Sequence, residues 1–74
     1  MSSKYPILPP SKVISVLLKF GFIKVSQKGS HAKYKNILTG KICIIPIHNE
    51  VAKGTLKSIL EQADIELDEF LSYL

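Results

Sequence analysis

Two histidines and ten lysines, with no arginine, are the side chains best suited to chemistry in this 74-residue chain. His31 closes the run Lys28-Gly29-Ser30-His31, beside a glycine-permitted turn in the most lysine-rich half of the sequence. An imidazole titrates near neutral pH, so it can take up or release a proton beside a phosphate that lysine charge holds in place. His48, after Pro46-Ile47, is a second candidate proton carrier. Lys24, Lys28, Ser30, Lys33 and Lys35 are the candidates for steering a phosphate backbone. Ser30 reads as a turn residue rather than a nucleophile, because no second His or Asp is spaced to activate it. Two histidines and the single Cys43 are too few donors for a zinc site, and neither metal nor cofactor is expected.

Charge placement points the same way. Residues 1–49 hold eight lysines and no acid, and all six acids follow from Glu50 onward, so the two parts sum to +8 and −4. A basic front half suits a polyanion, most often nucleic acid. With lysine alone there are no bidentate guanidinium forks, so contacts to backbone phosphates are expected and discrimination through base edges is expected to be weak.

What can position these groups is bounded by size. A chain this short buries only about 60% of its unfolded surface, enough for one layer of helices on one sheet. The lone cysteine, the absence of an apolar leader and the absence of any run near the roughly 20 residues of a membrane span lead to the expectation of a cytoplasmic protein with no membrane partner.

Three of the four prolines fall in residues 1–10, which read as an extended lead-in. Ser11 is a good N-cap for a helix over 12–20 with apolar residues at helical spacing, and Gly21 is placed to end it. Residues 22–28 alternate as a strand, Gly29-Ser30 suits a two-residue hairpin turn, and 31–36 alternate again. Pairing Lys28 with His31 places Lys24, Ser26, Lys28, His31, Lys33 and Lys35 on one face. The opposite face, with Ile23, Val25, Ala32 and Tyr34, is expected to be core.

A third strand over 41–47 can return around Thr39-Gly40 or through a four-residue loop. The tighter register sets His31 across from His48. The looser one sets it across from Pro46, with His48 on the diagonal. Both put Ile42 and Ile44 beside the lysines and Cys43 in the core. Thr55 then reads as the N-cap of a helix whose Leu56, Ile59, Leu60 and Ala63 form one buried stripe, and after a break at 64–66 a short helix carries Leu67, Phe70, Leu71 and Leu74. The acids at its start suit the helix dipole.

The blocks Gly21-Phe22, Lys28-Gly29-Ser30-His31, Pro46-Ile47-His48 and Gly54-Thr55-Leu56-Lys57-Ser58-Ile59-Leu60 together resemble the HicA toxin family over nearly the whole chain. The resemblance implies an α+β fold like a double-stranded-RNA-binding domain, in the order α-β-β-β-α(-α), with a three-stranded antiparallel sheet and helices on one face. It also implies metal-independent cleavage of messenger RNA with His31 as the catalytic residue, and neutralisation by a HicB-type antitoxin. Lys28 and Lys57 stand where many relatives carry arginine. Only Lys53 and Lys57 remain of the lysine cluster with which such domains bridge duplex phosphates, so single-stranded RNA is the expected substrate. A catalytically silent binding module of the same fold is the competing reading, and the exposed Ile42 and Ile44 would serve contact with an antitoxin or a second copy.

Overall fold

The computed structural model describes residues 5–74. Its elements are α1 (Pro10–Lys19), β1 (Phe22–Lys28), β2 (His31–Asn36), β3 (Ile42–Pro46), α2 (Lys53–Ala63) and α3 (Leu67–Ser72). The strands form one antiparallel sheet in the order β1-β2-β3. With the helices over one of its faces, this is the α+β arrangement of a double-stranded-RNA-binding-domain-like fold. Of the expected lead-in, residues 1–4 lie outside the described residues. The stretch from Tyr5 to Pro9 is not helical and is tied down where the Val51 N–H donates to the Leu8 carbonyl at 2.6 Å.

Both long helices start earlier than their expected caps. Ser11 lies inside α1, which opens after an extended Pro9 with no side-chain cap. Pro10 takes the first helical position, where the missing N–H is not needed and the fixed φ suits a helix. Thr55 likewise lies in the first turn of α2, behind an extended Ala52 that offers no capping side chain. Its hydroxyl is thereby released from the capping role.

The strands are β1 and β2 as expected, while β3 is one residue shorter at each end. Gly29, at φ 61, makes the two-residue turn, and Lys28 pairs with His31. A bulge then changes the faces of β1. Pairing runs Lys28↔His31, Gln27↔Ala32 and Ser26↔Lys33, skips Val25, and resumes as Lys24↔Tyr34, Ile23↔Lys35 and Phe22↔Asn36. The extra residue reverses the alternation beyond it. Phe22 therefore becomes core, while Ile23 and Val25, expected inside, are 45% and 46% exposed. Lys24, expected beside His31, moves to the face of Tyr34, where its Nζ donates to Gln27 Oε1 at 2.5 Å. The gain is a large ring in the core instead of two smaller side chains.

The core joins Phe22, Ala32, Tyr34, Cys43 and Ile45 of the sheet to Val13, Val16 and Leu17 of α1, to Leu56, Ile59, Leu60 and Ala63 of α2, and to Phe70 of α3. Cys43 is fully buried, as expected, and burial pushes its thiol up to about 11. A thiol raised in the folded state holds its proton where the unfolded chain, near 8.5 to 9, has lost it. Folding stability is therefore expected to hold below about pH 8.5 and to fall as pH rises toward 11. Urea midpoints measured across that window, with a shallower decline in Cys43→Ala, check this.

Candidate functional site

β2 meets β3 through a four-residue loop in the looser register, with His31↔Pro46, Lys33↔Ile44 and Lys35↔Ile42 as neighbours. The helix-free face thus carries three cross-strand rows: Lys28-His31-Pro46, Ser26-Lys33-Ile44 and Ile23-Lys35-Ile42. Three of the five expected phosphate-steering positions, Lys28, Lys33 and Lys35, share this face with His31. Ser30 sits in the turn beside it, its carbonyl accepting from the Ile47 N–H at 2.8 Å. Lys24 does not join them.

The strand ends at Pro46, so the chain leaves the sheet before His48, which lies in an exposed bend. His31 instead lines a groove shared with α2. The groove, of about 590 Å³, runs along the β3 edge where α2 flanks the sheet, and is lined by His31, Ile44 and Pro46 on one side and by Gly54, Thr55, Ser58 and Gln62 on the other, among others.

The sequence builds this wall with simple means. Leu56, Ile59, Leu60 and Ala63 bury one stripe of α2, and Thr55, Ser58 and Gln62, at i, i+3 and i+7, occupy the neighbouring stripe. β3 is an edge strand, and its register turns the Ile44 N–H outward. Gln62 Oε1 accepts that N–H at 3.2 Å, which locks helix to strand. At Pro46 there is no N–H to satisfy. The uncapped first turn of α2 also brings unused backbone N–H groups and the positive end of the helix dipole to the groove, an environment that favours anions.

Sequence reasoning missed Thr55, Ser58 and Gln62 as groove residues. Small polar residues on a helix read as a solvated face, and only the sheet edge packed beside them says otherwise. It also missed Asn36, whose Nδ2 donates to the Phe20 carbonyl at 3.0 Å while its Oδ1 accepts from Leu38 N–H at 2.8 Å and Thr39 N–H at 3.2 Å. This one buried amide closes α1 against the sheet and shapes the β2-β3 loop that sets the register of Pro46 opposite His31.

The groove holds one imidazole, hydroxyls, an amide and apolar surface, with lysines on the adjoining sheet face. Such a set can transfer a proton and hold an anion. Three blocks far apart in sequence, around His31, Pro46 and Gly54-Thr55, converge on it. No individual curated protein matches the chain. The family model described as the HicA toxin of bacterial toxin-antitoxin systems matches residues 10–65, a span that contains every groove residue named above. On that match over most of its length, the chain belongs to the HicA toxin family.

Proposed function

We propose that this toxin is an endoribonuclease that cleaves messenger RNA in the cytoplasm without a metal ion, with His31 as general base. RNA carries its own nucleophile. The base removes the proton of a ribose 2′-hydroxyl, whose oxygen attacks the adjacent phosphorus. The bond from phosphorus to the 5′-oxygen breaks, and that oxygen takes up a proton. The products are a 2′,3′-cyclic phosphate and a 5′-hydroxyl. The observation that carries this reading is the convergence of His31, Pro46 and the start of α2 on one groove.

Within that reading, Lys28 lies directly across from His31, and Lys33 follows on the same face. Their charge, with the uncapped turn of α2, steadies the extra negative charge of the phosphorane. Ser30 and Lys35 extend the contact along the RNA backbone. His48 lies past the end of β3, whereas Lys28 is the cross-strand neighbour of His31, so Lys28 or a water is better placed to protonate the leaving oxygen. No step of this scheme draws on a metal, because the 2′-hydroxyl supplies the nucleophile and His31 the base.

The membership also carries a partner. A HicB-type antitoxin that lays acidic and apolar side chains over Lys33, Lys35, Ile23, Ile42 and Ile44 would close the RNA path. Among the described residues no helix is long and apolar enough to cross a membrane.

Only Lys53 and Lys57 could bridge duplex phosphates from the start of α2. Single-stranded RNA incubated with the purified chain in the presence of a chelator is therefore expected to be cut, and the same sequence annealed to its complement to resist. Equal cutting of duplex, or cutting that stops when divalent ions are removed, contradicts the proposal.

A further inference from the structure

We infer that the α2 wall of the groove is a nucleobase subsite in which Ser58 and Gln62 read the edge of a base next to the scissile phosphate, an inference that rests on the ribonuclease reading above. Ser58 and Gln62 share one stripe of α2 and face the same groove as His31, with Ile44 and Pro46 opposite them. Apolar surface with a few placed polar groups is the makeup of a small-molecule site, and about 590 Å³ falls in the usual range for one. Unpaired bases are recognised by hydrogen bonds at the edge with a face packed on a side chain, here Ile44 or Pro46 in place of the usual aromatic ring.

The orientation of Gln62 sharpens the chemistry. The Ile44 N–H can be met only by an acceptor, so the Gln62 oxygen is turned to it. The amide nitrogen, with its two N–H donors, is the end left for a ligand. A donor in this place suits a base carbonyl oxygen. Guanine and cytosine each carry one and uracil carries two, whereas adenine carries none and sets a donor amino group beside its N1 and N7 acceptors. Base preference then comes from the helix and not from the lysines, which offer mobile point charges without directional discrimination.

The test maps cut sites in a random-sequence single-stranded RNA pool for the native protein, Gln62→Glu and Ser58→Ala. Gln62→Glu keeps an acceptor for Ile44 N–H and removes both donors. The native protein is expected to disfavour adenine by on the order of tenfold at one fixed position beside the cut, and Gln62→Glu to lose that discrimination. The same preference in all three proteins overturns the subsite. A second readout needs no cleavage. In His31→Ala protein, the side-chain amide NMR signals of Gln62 are expected to shift on adding a 2′-O-methyl oligonucleotide of uracil and guanine, and to need about tenfold more of an adenine one for the same shift. Shifted signals without RNA cutting by the native protein would keep the subsite and sink the ribonuclease reading. Cutting with unmoved signals and an unchanged preference would sink the subsite alone.

Discussion

His31→Ala is expected to lower the rate of RNA cleavage by about a hundred- to ten-thousand-fold, the usual contribution of a positioned general base. The side chain is exposed at the start of β2, so removing it leaves no cavity and no orphaned hydrogen bond. Surface changes of this kind stay within about 0.5 kcal/mol of native stability. Loss of activity with an unchanged melting curve therefore separates chemistry from folding. His31→Gln provides the stricter comparison, because it keeps a planar hydrogen-bonding group and cannot exchange a proton near neutral pH. It is expected to be as inactive as the alanine variant, and expression of either should no longer arrest growth. Full activity in the glutamine variant would mean that His31 binds without transferring a proton.

The second large effect falls on stability. Asn36→Ala removes three hydrogen bonds at once, leaving the Phe20 carbonyl and the Leu38 and Thr39 N–H groups without their partner. Asn36 is 6% exposed, so water replaces these bonds poorly. An unmet buried polar group costs about 1–3 kcal/mol, and with some relief at the loop the total is about 2–4 kcal/mol. A domain of this length has a margin of roughly 4–11 kcal/mol. The melting temperature is accordingly expected to drop by roughly 10–30 °C, read by circular dichroism. Activity per folded molecule should also fall, because the loop that Asn36 shapes fixes the register of β3 against β2. A shift of less than about 3 °C would show that the amide is not the tie it is taken to be.

These two residues mark what was legible in the chain. Gly29-Ser30 fixes a two-residue turn, because glycine alone takes the required positive φ at little cost, and the pairing of Lys28 with His31 follows at once. The second hairpin left two registers open, since Thr39-Gly40 and a four-residue loop are both sound turns. Asn36 decides between them, and its role is invisible in the sequence because asparagine is common in loops for many reasons.

The bulge at Val25 was hidden for a different reason. Phe22, Ile23 and Val25 supply apolar residues in both phases of the alternation, so either face could be core. Only the shape of the helix layer selects the larger ring. Ile23 was thereby moved to the lysine face and Lys24 away from it. The helix starts escaped notice because Ser11 and Thr55 are good capping residues, whereas here extended Pro9 and Ala52 precede the first turns without any cap. At α2 this is part of the site, since a capped first turn would have less to offer an anion.

The most direct test of the central claim is the chemical identity of the ends left by cleavage of a single-stranded RNA in excess chelator. Attack by the 2′-hydroxyl predicts a 2′,3′-cyclic phosphate on one fragment and a 5′-hydroxyl on the other, together with resistance when a single 2′-deoxy sugar is placed at the cut. Fragments ending in a 3′-hydroxyl and a 5′-phosphate, or undiminished cutting at the deoxy position, would contradict it.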